Sequence, residues 1–126
     1  MGLLKESEAN IQKAILDYAR AKGITMHRMN VIGTPLVRNG VTYFRKAPNV
    51  GMADIHCEYF VAGLPISVWL ECKTKAGKLS PSQRNFRDGV NRYGGFYFVV
   101  RSIEDVEDAL HQIIAKVGKN ISWRET

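Results

Sequence analysis

Cysteine is scarce, acid is outnumbered by base, and long apolar runs are missing; each shortage closes off a class of protein. Two cysteines in 126 residues, Cys57 and Cys72, cannot staple a small secreted scaffold. His56 stands directly before Cys57 and no CxxC occurs, so the spacing of a zinc site is missing too. Both cysteines read as small apolar fillers of strands. With four prolines and no Pro- or Ser-rich stretch, nothing marks a linker, and no segment repeats. No apolar run approaches the ~20 residues that cross a bilayer. Residues 1–22 carry too many charges for a secretory signal, so the expectation is a chain that stays in the reducing cytoplasm, off the membrane.

What is present fits one globular domain: 45% hydrophobic and 24% charged residues. Eighteen Lys and Arg against 12 Asp and Glu give a net charge of +6 and a pI near 9.5. Such a surplus favours a polyanionic partner, nucleic acid first and an anionic membrane second.

Leu4, Ile11, Ile15 and Tyr18 recur at helical spacing and predict a helix over residues 3–22, stopped by Gly23. Residues 25–46 hold β-formers (Val31, Ile32, Val37, Val41, Tyr43, Phe44), and Asn39-Gly40 marks a two-residue hairpin. Residues 54–61 and 66–73 read as two further strands joined through residues 62–65. Ser80-Pro81-Ser82-Gln83 is a capping box with proline in the first helical position, opening a helix that ends near Tyr93. Residues 96–101 form an apolar run expected to be a strand buried on both faces. Ser102 caps a last helix, ended by Gly118. The order α–β–β–β–β–α–β–α predicts an α/β fold, a mixed sheet flanked by helices, over residues 1–118, with 119–126 as a peripheral tail.

Three acids break the rule that charges face water. Glu8 falls within the apolar stripe of the first helix; the alternative is a half-exposed acid favouring the helix dipole. Asp54 opens a strand straight after Gly51-Met52-Ala53, where a loop-closing Asp would also be ordinary. Alternation sends Glu71 and Lys73 to one face, behind the apolar Val68-Trp69-Leu70; alone, the pair would read as a solvated strand edge. Taken together, two adjacent strand ends each presenting a carboxylate are how Mg²⁺ is usually held, with waters and phosphate oxygens completing the shell. Lys73, roughly 6.5 Å along the same face, reaches a phosphate or an attacking water. Carboxylates, a point cation and a basic surface describe phosphodiester hydrolysis.

These residues resemble the D…ExK signature of the PD-(D/E)XK nuclease superfamily, and more narrowly the VRR-NUC (virus-type replication-repair nuclease) family. The likeness spans about residues 7–117. It rests on Glu8-Ala9-Asn10-Ile11-Gln12, Gly51-Met52-Ala53-Asp54, Glu71-Cys72-Lys73, Leu79-Ser80-Pro81-Ser82-Gln83, and FYFVVRSIEDV over residues 96–106. The family commonly has proline where this chain has Ala53. The resemblance implies a restriction-endonuclease-like core that binds Mg²⁺ or Mn²⁺ and hydrolyses DNA. Asp54 and Glu71 would be metal ligands, joined by the Cys72 carbonyl. Lys73 would position the water or stabilise the transition state, Glu8 would match the helical acid, and Gln83 the glutamine beside the site. For Gln83 the capping box is a sufficient structural reason as well.

Around that site cluster Arg45, Lys46, Lys75, Lys78, Arg84, Arg87 and Arg92, suited to phosphate contacts, although a solvated face is the ordinary role of each. Tyr43, Phe44 and Tyr59 read as core rather than as base-stacking residues. His56 shares the Asp54 face as an auxiliary base or as a hydrogen-bonded bystander. The leading expectation is a structure-selective DNA endonuclease, such as a Holliday-junction resolvase of phage or bacterial replication and repair, acting on branched DNA as a homodimer. The alternatives are a non-catalytic nucleic-acid-binding module on the same fold, and a flap- or exonuclease-type member of the superfamily.

Overall fold

The computed structural model describes residues 7–29, 34–45 and 50–122, with the main chain alone at 34–36, 44–45 and 120–122. Helix α1 spans Glu8–Lys22, followed by strands β1 (Thr25–Arg28), β2 (Thr34–Arg38), β3 (Val41–Arg45), β4 (Ile55–Val61) and β5 (Leu64–Cys72). Helix α2 (Pro81–Arg92), strand β6 (Phe96–Val100) and helix α3 (Ile103–Ser122) complete the chain. Four strands form one mixed sheet in the order β1-β4-β5-β6, while β2 and β3 pair separately. Pairing is antiparallel from β1 to β5 and parallel between β5 and β6, the arrangement that needs α2 as a crossover.

Alternation along the strands sorts the two faces. Ile55 and Cys57 of β4, Val68, Leu70 and Cys72 of β5 and Val100 of β6 join Ile11 and Ile15 of α1 and Val106, Leu110 and Ile113 of α3 in one buried cluster. Each fully buried aliphatic of this kind contributes about 1.5–3 kcal/mol. The opposite face, with Trp69 and Tyr97, takes α2, whose Phe86 ring meets Trp69 edge-on at 5.0 Å. The protein is therefore an α/β sandwich: α1 and α3 below, the mixed sheet between, α2 above.

Local signals explain most boundaries. The Ser7 hydroxyl accepts from the Asn10 N–H to start α1, and Gly23 ends it in the left-handed conformation at φ 71°. The helix thus begins at Glu8, and Leu4 lies outside the described residues. Asn39 and Gly40, at φ 51° and 75°, form the expected hairpin between β2 and β3. Ser80 and Gln83 form the expected capping box at α2, and the Asp105 N–H is capped by the Ser102 hydroxyl at α3.

Five expectations are corrected. A strand precedes the hairpin: β1, too short and polar for its sequence to stand out, pairs with β4, making five strands before α2. The β4–β5 connection is a two-residue turn, Ala62-Gly63, both at left-handed φ, so Leu64 and Pro65 already belong to β5. On β6 only Val100 is buried, because the strand is a sheet edge covered unevenly. Gly118 does not stop α3, which runs on to Ser122. Tyr43 is no core residue: it is 55% exposed on the β2–β3 hairpin. Tyr59 does pack against the core, and the side chain of Phe44 lies outside the described residues, as do Val31, Ile32 and Trp123. Among the described residues no helix is long and apolar enough to cross a membrane.

Candidate active site

The antiparallel register of β4 and β5, which sets Ile55 against Leu70, carries the chain so that Asp54 and Glu71 end up side by side at one end of the sheet. Gly51 makes that approach possible. At φ 88° it lies so close to the first turn of α2 that an added Cβ would overlap the Ser82 carbonyl group. The loop ahead of Asp54 is thereby pressed against the helix that carries Gln83.

Hydrogen bonds then fix the carboxylates. Asp54 Oδ2 accepts the Cys72 N–H at 2.8 Å, and the Asp54 N–H is directed at Glu71 Oε2 at 3.3 Å. Glu71 Oε1 accepts from Gln83 Nε2 at 2.6 Å. The same glutamine uses its Oε1 to accept the Ser80 N–H at 2.8 Å, closing the capping box. The capping box and the place beside the site, expected separately for Gln83, occur together: the cap fixes which end of the amide faces the site, so the nitrogen points at Glu71.

Glu71 is 1% exposed. Burial, and after it the hydrogen bond and charge of Asp54, push its carboxyl up to about 8; Lys73 and the Asp54 N–H pull the other way without prevailing. Lys73 is itself only 7% exposed. Its ammonium lies 3.8 Å from Glu8 Oε1 and 4.0 Å from Glu71 Oε1, ion-pair separations beyond hydrogen-bond length. Among the described residues it makes no hydrogen bond, so its three donors remain available. Of the two readings of Glu8 the half-exposed one holds: its side chain is 46% exposed and reaches toward Lys73.

The structure therefore brings together Asp54, Glu71, Lys73, Glu8 and Gln83. The Cys72 side chain leaves for the opposite face, fully buried, where burial and then the charge of Asp54 push its thiol up to about 12; only its main chain adjoins the site. Among the described residues no group of three His, Cys, Asp or Glu side chains is arranged to hold a metal ion. Two carboxylates are present, however, and a carboxyl raised by burial and then by its neighbour is a position where a divalent cation can take the place of a proton. The donor set fits Mg²⁺ or Mn²⁺ held by two carboxylates with other oxygens completing the shell.

The basic residues are dispersed. Lys75 and Lys78 are exposed in the β5–α2 connection. Arg84, exposed on α2, folds back to donate to the Leu79 carbonyl at 3.0 Å, and Arg87 donates to Asp88 at 3.0 Å. Arg92 is exposed near the end of α2. Arg45 closes β3, its side chain outside the described residues, and Lys46 lies outside them altogether. His56 is a bystander here: its Nε2 bonds the Ser67 hydroxyl at 2.8 Å and its ring packs on Trp69.

Two supporting residues escaped the sequence reading. Arg101, just after β6, donates to the Thr74 carbonyl at 2.6 Å and the Gly77 carbonyl at 3.1 Å, tying down the loop that follows Lys73. Tyr97, paired across the ladder with Trp69, has a buried hydroxyl with no hydrogen-bond partner among the described residues. Burial first, then the charge of Glu71, raises its pKa. An arginine ending a strand was a weak signal for the first; no sequence signal existed for the second.

No family model, no curated protein and no solved structure matches this chain.

Proposed function

We propose that this protein is a Mg²⁺- or Mn²⁺-dependent deoxyribonuclease of the PD-(D/E)XK type, with a restriction-endonuclease-like core of the VRR-NUC kind. The observation that carries the reading is the buried Glu71, paired with Asp54 across abutting strand ends and flanked by an ammonium with free donors. The fold alone would not support it, since one architecture hosts many functions.

The roles follow from the contacts. Asp54 is held by the Cys72 N–H and Glu71 by the Gln83 amide, so both carboxylates are oriented in advance. A cation held by Asp54 and Glu71 would supply charge to polarise a phosphodiester and to favour hydroxide over water. Lys73, beside Glu8 and Glu71, offers its hydrogens to the nucleophilic water or to the phosphoryl oxygens as negative charge develops. Water oxygen bonds to phosphorus as the bond from phosphorus to a sugar oxygen breaks. Branched DNA, a four-way junction above all, and a homodimer that cuts it twice complete the reading; a C₂ dimer matches the two-fold axis of a junction.

The test is a cleavage screen over duplex, single-stranded, flap and four-way DNA with Mg²⁺, Mn²⁺ or EDTA. Asp54→Asn and Lys73→Ala should each cost on the order of 10²–10³ in rate, while DNA binding in Ca²⁺ persists. Cleavage near wild-type levels in both variants, or undiminished in EDTA, overturns the assignment.

A further inference from the structure

Beside the carboxylates, on the same face of the sheet, lies a groove of about 520 Å³ whose walls include Trp69, Phe86, Tyr93, Gly89, Asn85 and Ser67. It begins two residues back along β5 from Glu71, about 6.6 Å, and one turn along α2 from Gln83. Three features of this groove bear on what could fill it. Tyr93 is 86% exposed, a large aromatic standing in water. Trp69 and Phe86 meet edge-on at 5.0 Å and stay only partly covered. Gly89 occupies the interior of α2, where glycine weakens a helix, yet a Cβ built there meets nothing within 4 Å and its φ is not left-handed. No backbone conformation and no close packing requires that glycine; its missing side chain keeps the groove open.

We propose that this groove receives an unstacked nucleobase of a single-stranded segment whose backbone crosses the Asp54–Glu71 site. The volume lies in the range of small-ligand sites. Aromatic walls suit the π-face that every base presents, and Asn85 and Ser67 place polar groups where a base edge would lie. Charge agrees with this occupant: Arg92 stands one helical turn from Gly89, in a chain with a net charge of +6. The inference rests on the nuclease reading for the path of the backbone, and it adds a substrate class: DNA with an unpaired stretch at the cut.

The experiment uses the full chain carrying Trp123→Phe, so that Trp69 is the only tryptophan, in EDTA, where no cleavage enters. It is titrated with an oligothymidylate of about ten nucleotides and with an abasic oligomer of the same length. The thymidylate should change Trp69 emission saturably and bind at least about tenfold tighter than the abasic chain. Gly89→Leu should erase that preference while leaving abasic binding unchanged, and Tyr93→Ala, at an exposed position, should cut it several-fold. Equal binding of the two oligomers without a Trp69 response overturns the proposal, as does a preference that survives both substitutions. So does self-association that Gly89→Leu abolishes, which would assign the groove to a second copy. Base preference without metal-dependent cleavage would sink the nuclease reading alone; cleavage without base preference would sink only the groove.

Discussion

Replacing Glu71 by glutamine removes a titration while keeping nearly the same shape, and the consequence for stability can be worked out. The folded protein holds the Glu71 proton up to about pH 8, against 4.5 for the free side chain. Between those values the folded state binds more protons than the unfolded one, so stability falls as pH rises through the window. At about 1.4 kcal/mol per pH unit, discounted for solvent, the span amounts to a few kcal/mol. The amide of Glu71→Gln carries no such penalty. It can still accept from Gln83, and it loses only the 3.3 Å contact with the Asp54 N–H. Thermal unfolding of both proteins in EDTA should give curves that diverge with pH from about 5 to about 9, Glu71→Gln gaining on the order of 10 °C at the alkaline end. Parallel curves would refute the reasoning. Mg²⁺ should displace the same proton, so its binding near neutral pH should release up to one proton in the native protein and none in Glu71→Gln. Calorimetry in buffers of different ionisation heat reads that difference.

Gly51→Ala should cost about 2–3 kcal/mol and most of the activity, since the new Cβ, overlapping the Ser82 carbonyl, must push the Asp54 loop off α2; thermal unfolding and turnover near native values would contradict this. DNA affinity should fall about a hundredfold or more between ~50 and ~200 mM salt with little dependence on base sequence, and a flat salt series would count against backbone contacts. A symmetric dimer should be seen by light scattering and should make paired cuts in a four-way junction. Val41 and Tyr43 expose apolar surface on one face of the β2–β3 hairpin, so Tyr43→Asp should dissociate it; a native monomer at micromolar concentration would end that idea.

Much of this arrangement was legible in the sequence because it follows from local chemistry. Asn39-Gly40, Ser80-Pro81-Ser82-Gln83 and Ser102 each act through their own main chain, and tertiary packing had no reason to override them. The carboxylate pair was legible because two strands ending in acids, once adjacent, have few other places to put them. Glu8 stayed open between an inward and a half-exposed acid because helical periodicity says which side a residue faces, but not what the first turn of α1 meets there. The β6 run FYFVV looked doubly buried because composition cannot tell a central strand from an edge. Nothing in the sequence foretold the groove at Trp69 and Tyr93, since its walls meet only through the way α2 settles on the sheet.

Helix α2 contributes no fully buried residue, unlike α1 with its Ile11, Ile15 and Ala19. Among the described residues its polar attachment to the sheet is the hydrogen bond from Gln83 to Glu71. Such a lightly anchored element lies at the low end of local stability and is expected to open long before the core does. Thermodynamic reciprocity then applies: whatever orders Glu71 tightens α2, and whatever clamps α2 orders Glu71 by the same free energy. Occupation of the carboxylate end and of the outer helix would therefore reinforce each other. The molecule would behave as a coincidence detector, most ordered when cation and polyanion arrive together.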